Sequence, residues 1–397
     1  MRLAVDIGLV LLSLPVLVAS CYLLLLTLLS GRRPPPVPVA PRLRFDVVVP
    51  AHDEEVGIGR TVRSLLSIDY PAPLRRVVVV ADNCKDATAD RAQEAGATVL
   101  VRTDDRRRGK GYALDHAFSW SLQEGYADAV VVIDADSDVD PGLLRAFATR
   151  LEAGEVAVQA DNAVGNPEAS WRTCLLAIAF VLVDTVRMLG RERLRCSAGL
   201  RGNGMCLSAS VLREVPHHAF SVVEDLEYGI RLGLAGHRVA YANDARVRSE
   251  MAVSVAASGT QRQRWEGGRR AMAARYALPL IAEGLRRPDR VLLDLGMDLA
   301  VPPLAYLAGA TLGGAALSGL WAGLLGGSPV VVWPWGMSVA AIALYVLRGW
   351  QVSGTGLAGL RALLHAPGYL AWKVGLRLRA RRNGEAKWIR TERERGP

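Results

Sequence analysis

"VVVIDADSDVDP", residues 130–141, sets an apolar β-branched run directly before four aspartates at alternate positions: Asp134, Asp136, Asp138 and Asp140. The run has no apolar–polar alternation, so it reads as a strand buried on both faces. Related runs are "FDVVVP" (45–50), "RVVVVAD" (76–82) and "TVLVR" (98–102), with "AVVVID" (129–134) as the fourth. Between them, "DATADRAQEAG" (86–96) and "GKGYALDHAFSWSLQEG" (109–125) have helical composition, and each stops at glycine. Strands alternating with helices predict an α/β domain with a mainly parallel sheet, extending over about residues 45 to 245. Ligands of such sheets bind beyond the carboxyl ends of the strands. Those ends read "AHDEE", "DNCKD", "RTDDRRRGKG" and "DADSDVD".

Two metal readings of these acidic ends fail on spacing. An EF-hand loop begun at Asp134 would put Val139 where glycine is required and Arg145 where a bidentate glutamate is required. "HDEE" at His52 lacks the second histidine of a zinc-protease helix. "GLRGNG" (199–204) is neither a P-loop nor a dinucleotide turn. A nucleotide diphosphate would therefore depend on a metal and basic side chains, and Asp134 and Asp136 stand in sequence after Arg106, Arg107, Arg108 and Lys110. Asp140, preceding Pro141, is expected to cap the helix "PGLLRAFATRLEAG", and Asp138 to lie near the site or on its acceptor side.

Of the 397 residues 51% are hydrophobic, which directs attention to membrane segments. No charge occurs from Ile7 to Leu29, a run of 23 residues long enough, at about 35 Å, to cross the hydrocarbon core. "VASC" (18–21) is similar to a lipoprotein cleavage box, but the apolar run continues through "YLLLLTLL" and favours a spanning helix. A second uncharged run, Leu299 to Leu347, is broken by "GGSP" (326–329) and reads as two spans joined by a turn. Arg32, Arg33, Arg42 and Arg44 follow the first span, and Arg377, Arg379, Arg381, Arg382 and Lys387 follow the last, so the positive-inside rule predicts a cytoplasmic domain and an outside N-terminus. Segments 171–193 and 366–382 are expected to lie on the membrane, with a buried core helix as the alternative for the first. The predicted division is a transmembrane helix (1–30), a proline-rich linker (31–44), a cytoplasmic domain (45–285), a transmembrane hairpin (286–350) and an interfacial helix with a basic tail (351–397). The net charge of +9 goes with only 6% aromatic residues, which favours a membrane surface over nucleic acid as partner. Five scattered cysteines, none in a C-x-x-C pair, suggest neither a disulfide framework nor a zinc site.

Seven blocks in order, "VVVPAHDEE", "VVVADNCKDAT", "RGKGYAL", "VVIDADS", "RGNGMCLS", "VVEDLEYGIRLGLAGHRVAY" and "QRQRW", resemble the family-2 glycosyltransferases. The resemblance is to membrane-embedded members similar to cellulose, hyaluronan and chitin synthases and to ceramide glucosyltransferase. It implies a GT-A-type nucleotide-sugar domain in which Ala51, Glu54 and Asp82 hold the uridine and Arg108 and Lys110 face the diphosphate. Asp134 and Asp136 match the D-x-D motif, with Asp136 the ligand of Mg²⁺ or Mn²⁺. Asp225 matches the general base, next to Glu224 on the acceptor and diphosphate side. Gln261, Arg264 and Trp265 match Q-x-x-R-W, whose tryptophan stacks under the acceptor. The sequence departs from the pattern at Ala81, which bears on the uracil contacts, and at Val223 and Asp53.

The implied reaction is an inverting, metal-assisted single displacement from a UDP-sugar to a growing β-linked glycan. Transfer of one sugar to a membrane lipid is the alternative, and an inactive nucleotide-binding scaffold is the non-enzyme alternative. The chemistry demands these groups by itself: a cationic surround for the leaving diphosphate, and a carboxylate to take the acceptor proton from the opposite face. A bacterial-type inner membrane is the expected location, multi-pass, with the catalytic domain cytoplasmic; self-association into a homo-oligomer is compatible with the few spans.

Overall fold

A computed structural model describes residues 2–32, 34–251, 255–366 and 368, with the backbone alone for 255–264. The valine runs form β1 (Phe45–Ala51), β2 (Arg75–Asp82), β3 (Thr98–Arg102) and β4 (Ala129–Val132). Four more strands follow: β5 (Ser137–Val139), β6 (Ala157–Val164), β7 (Met205–Ser208) and β8 (Ala240–Ser249). They make one sheet in the order β3-β2-β1-β4-β7-β6-β8-β5. The expected strands are all parallel to their neighbours in β3-β2-β1-β4, as is the β6–β8 pair, while β7 runs antiparallel to β4 and β6, and β5 to β8.

The helices, in chain order, are α1 (Arg2–Leu28), α2 (Ile58–Leu66), α3 (Thr88–Glu94), α4 (Lys110–Glu124), α5 (Leu143–Glu152), α6 (Trp171–Phe180) and α7 (Arg187–Arg193). They continue with α8 (Ala209–Glu214), α9 (Glu224–Leu234), α10 (Val255–Arg286), α11 (Arg290–Ala300), α12 (Leu304–Leu324), α13 (Trp333–Ser353) and α14 (Gly356–Leu364). Consecutive valines of one strand enter different cores. Val47 and Val49 join Ile58, Leu65 and Phe147 from α2 and α5 on one face, and Val48 joins Leu114, Phe118, Tyr228 and Leu232 from α4 and α9 on the other. Helices on both faces are what makes an unalternating valine run stable as a strand.

Among the described residues, four helical segments are long and apolar enough to cross a membrane: Arg2–Leu28, Trp171–Arg193, Leu304–Leu324 and Pro329–Ser353. The first and the last two are only 22–33% buried in their most apolar stretches, whereas Trp171–Arg193 is 67% buried. The latter segment is α6 and α7 joined by a π-helical turn at Val181–Val186. It is wedged between the sheet and the apolar helices: Thr185 donates to Asp161 of β6 at 2.8 Å, and Ile178, Leu182 and Val186 pack with Leu23 of α1 and Tyr345 of α13. Of the two sequence expectations for 171–193, the buried helix describes it.

The aspartate ladder departs from expectation at Asp140. The Asp140 side chain does not cap α5, whose N-cap is Gly142; it accepts from Arg248 Nη1 at 2.6 Å. Asp138 is exposed on the edge strand β5, opposite Arg248. A guanidinium on the neighbouring strand outcompetes a helix terminus because both partners of that hydrogen bond are charged. Segment 366–382 and the basic residues 377–387 fall almost wholly outside the described residues.

Candidate active site

β1, β2 and β4 end side by side, and everything else in the site is arranged on that edge. Ala51 is buried at the end of β1, in register with Ala81 of β2. Asp82, also buried, accepts from Arg102 Nη1 at 2.6 Å and from Asn83 Nδ2 at 3.1 Å, while its backbone carbonyl lies 2.7 Å from His52 Nδ1. Asp53 and Asn83 both adopt a left-handed backbone, with φ of 53°, so the chain turns back sharply just past each strand. Glu54 is half-buried beyond that turn, and its backbone N–H donates to Thr88 Oγ1 at 2.7 Å.

Beyond β4 the charges converge. Lys110, the first residue of α4, donates to Asp134 Oδ1 at 2.5 Å and to the carbonyl of Gly202 at 2.6 Å, and its Nζ lies 3.9 Å from Glu224 Oε1. Asp225, the next residue of α9, is anchored by the Leu226 N–H at 2.8 Å. A methyl group built on Gly202 would sit 3.4 Å from both Asp225 Oδ2 and Lys110 Nζ, so this glycine floors the space between base candidate and cation. Asp136 is half-buried two residues beyond Asp134.

Burial works against the charge on Lys110, and the carboxylates of Asp134 and Glu224 overcome it, holding the ammonium above its ordinary range. Burial pushes the Glu224 carboxyl up to about 7 against the pull of Lys110, with Asp225 and Asp134 adding repulsion. Burial likewise raises Asp225, opposed by the Leu226 N–H, Lys110 and Arg201. A carboxylate with elevated proton affinity beside a fixed cation is suited to taking a proton from a hydroxyl.

Not every residue expected from sequence arrives there. Arg108 is exposed and paired with Asp105, and Arg107 with Asp104, so in this arrangement the arginine run neutralises its own loop instead of reaching Asp134. Trp265 stands on α10 and is 40% exposed, while the side chains of Gln261 and Arg264 lie outside the described residues. α10 nevertheless runs close to the acidic pair, since a methyl on Gly268 would meet Val223 Cγ1 at 2.7 Å, one residue before Glu224.

Residues that sequence reading missed hold the floor together. Asn203 Oδ1 accepts the Asp134 N–H at 3.1 Å, and its Nδ2 donates to Ser137 and Ser249 at 2.8 and 3.1 Å. Gln159 of β6 donates to the Asn203 carbonyl at 2.7 Å and accepts from the Arg201 N–H at 2.9 Å. Gly199, Gly202 and Gly204 all have positive φ, which is the physical content of "GLRGNG": a loop bent by glycine so that its carbonyl can meet a lysine. Arg201, from the same loop, pairs with Asp184 at 3.1 Å in the π-helical turn. A second group of potential metal donors, Asp53, Cys84 and Asp86, lies past β1 and β2; Asp53 and Asp86 already accept the N–H groups of Lys85, Thr88 and Glu55.

Residues 41–268 match the family described as glycosyltransferase like family 2. A β-monoglucosyldiacylglycerol synthase of Synechocystis sp. is 30% identical over 230 residues, 56% of this chain and 47% of that protein. Cellulose synthase 2 of Novacetimonas hansenii is 33% identical over 145 residues, 34% of this chain and 9% of that protein. The chain spans about half the length, or less, of these curated relatives. Among solved structures, the mannosyltransferase of Pyrobaculum calidifontis in complex with GDP-mannose and Mn²⁺ superposes with a TM-score of 0.54 at 18% identity, covering 86% of this chain and 98% of that one. With its mostly parallel GT-A-like sheet and its match over residues 41–268, this chain belongs to glycosyltransferase family 2.

Proposed function

We propose that this chain moves a sugar from a UDP-sugar donor to a membrane-borne acceptor, with inversion at the anomeric carbon. The observation that carries the reading is the convergence of Lys110, Asp134, Glu224 and Asp225 around Gly202 at the carboxyl edge of the sheet. In this reading Ala51, Glu54 and Asp82 border the nucleoside, and Lys110 faces the diphosphate. Asp225 takes the acceptor hydroxyl proton as that oxygen attacks the anomeric carbon, and the bond to the diphosphate breaks on the opposite face. Trp265 on α10 flanks the acceptor, with Glu224 beside it, and Gln261 and Arg264 help hold the diphosphate.

The donor set fits Mg²⁺ or Mn²⁺. Asp134, Asp136, Glu224 and Asp225 are hard oxygen donors, and together they carry more negative charge than Lys110 offsets. Asp136, with Asp134 beside it, would hold the ion, which when bound supplies neutralisation of the charge growing on the leaving diphosphate. The Pyrobaculum structure, solved with Mn²⁺, supports that choice.

A lipid acceptor is favoured by the match to β-monoglucosyldiacylglycerol synthase and by the buried ion pairs that tie the catalytic face to the apolar helices. Arg269 of α10 and Arg187 of α7 both reach Asp298 at 3.1 Å, and Arg187 also donates to Tyr345 of α13 at 2.9 Å. A growing β-linked glycan is the second reading, favoured by the cellulose synthase match. The charge asymmetry of the membrane helices supports a cytoplasmic domain: Arg32, Arg193 and Arg348 gather at the domain side, Arg2 and Asp6 at the far side.

Membranes containing the chain, supplied with radiolabelled UDP-sugars, test both points. Label extractable into organic solvent supports the lipid, and insoluble, size-graded label the glycan. UDP release with none of UDP-glucose, UDP-N-acetylglucosamine and UDP-glucuronate would overturn the donor assignment.

A further inference from the structure

The apolar runs of α1 and α13 end at the same depth. Leu29 is followed by Ser30, Gly31 and Arg32, and Leu347 by Arg348. At that level Arg32, Arg348, Gln351 and Val352 line a cavity of about 330 Å³. Arg348 donates to the hydroxyl and the carbonyl of the buried Ser30, both at 2.9 Å, and to Gln351 Oε1 at 2.7 Å. Arg193, at the end of α7, donates to the Gly31 carbonyl at 3.2 Å. All four acceptors are neutral, and among the described residues no carboxylate pairs with Arg32, Arg193 or Arg348. Among the described residues these three guanidiniums therefore stand at the C-terminal end of α1 without counter-charge, whereas the other arginines near this junction, Arg187, Arg191 and Arg269, each pair with Asp294 or Asp298.

An uncompensated guanidinium cluster at the boundary between apolar helix and polar chain is matched by a phosphate diester at headgroup depth. A phosphate offers oxygens to several forked donors at once, and net negative charge supplies the missing counter-ion. The acyl chains of such a lipid would continue along apolar surface, and Leu25, Leu28, Leu344 and Leu347, within two turns on the membrane side, are all exposed. We infer that the junction of α1, α7 and α13 is a binding site for the headgroup of an anionic phospholipid, held by Arg32, Arg193 and Arg348. The bound lipid fastens the first span to the last and to α7, whose helix continues through the π-helical turn to the Arg201 partner Asp184. It is a site separate from the sugar-transfer site, and its test needs no activity.

The full chain is placed in phosphatidylcholine nanodiscs and titrated with phosphatidylglycerol, reading the thermal midpoint. A saturable rise is expected for the wild type. Arg32→Gln should shift the half-saturating phosphatidylglycerol fraction about fivefold, and the Arg32→Gln/Arg348→Gln pair roughly 25-fold, from the attraction of each arginine to an anionic surface. Arg32 makes no hydrogen bond among the described residues, so its variant keeps the measurement interpretable if Arg348→Gln loosens the helix contact. Arg63→Gln, an exposed arginine on α2, should leave the titration unchanged. The inference is overturned if Arg32→Gln and the pair titrate as the wild type does, if Arg63→Gln shifts the curve equally, or if inorganic phosphate alone reproduces the rise.

Discussion

The ammonium of Lys110 lies 2.5 Å from Oδ1 of Asp134, joining the start of α4 to the end of β4 across the floor of the site. Lys110 also lies 3.9 Å from Glu224 and exerts a lowering influence on Asp225, so a single side chain faces three carboxylates. Lys110→Met should lower kcat/KM for sugar transfer by about 10²- to 10³-fold, the range for loss of one preorganised charge-stabilising group. UDP release measured against donor concentration checks it, and a loss below about threefold would remove Lys110 from the proposed mechanism.

Asp225→Asn keeps the shape of α9 and its N-terminal turn but removes the carboxylate proposed as proton acceptor. Transfer should fall by at least about 10²-fold with the thermal midpoint nearly unchanged, since the lost carboxylate is a buried charge that the fold does not need. Asp136→Ala should likewise abolish transfer and also remove the response of the protein to added Mn²⁺. Full activity in either variant would sink the assignment of base or metal ligand.

Asn203 satisfies three partners in the core of the site, and Asn203→Ala leaves the Asp134 N–H without its acceptor. The expected cost is about 1–3 kcal/mol of stability. Transfer should drop by a larger factor than the melting shift alone implies, because the Asp134 backbone loses the acceptor that fixes it. Circular dichroism melts paired with kinetics separate the two; a pure stability effect would make Asn203 structural only.

Gly268 has Val223 where its side chain would be, 2.7 Å from a built Cβ. Gly268→Val should push α10 off the Val223–Asp225 turn and raise the acceptor KM more than the donor KM, as Trp265 moves with the helix. The double variant Gly268→Ala/Val223→Ala should recover most of the lost activity, and failure to do so would argue against a steric origin.

His217 is buried against Phe118 and Tyr228, and burial pushes its pKa down to about 4, with His218 and Arg231 as lesser causes. The unfolded chain titrates near 6.5, so above that pH the histidine is neutral in both states and costs nothing. As pH falls from about 6.5 towards 4 the unfolded state takes up the proton first, and stability is lost by up to about 3 kcal/mol. His217→Phe should flatten this part of the melting-temperature profile; an unchanged slope would assign the acid sensitivity elsewhere.

Much of this molecule follows from local pattern. The unalternating valine runs, the acidic and basic residues after each strand, the 23 uncharged residues of the first apolar helix and the turn at "GGSP" need no tertiary information, because strand burial and apolar length are properties of short stretches. Tertiary structure alone decided three things. The apolar segment 171–193 has the composition of a membrane helix, and only the neighbours that cover it, Thr185's partner Asp161 among them, make it interior. Asp140 and Asp134 look equivalent in the ladder, yet one meets Arg248 from the edge strand and the other Lys110 from a helix 24 residues upstream. The floor of the site is a glycine carbonyl that meets Lys110, next to a buried Gln159–Asn203 contact, and no periodicity announces it. Hydrogen bonds between residues far apart in sequence depend on which loops the sheet brings together, and that is fixed only when the chain has folded.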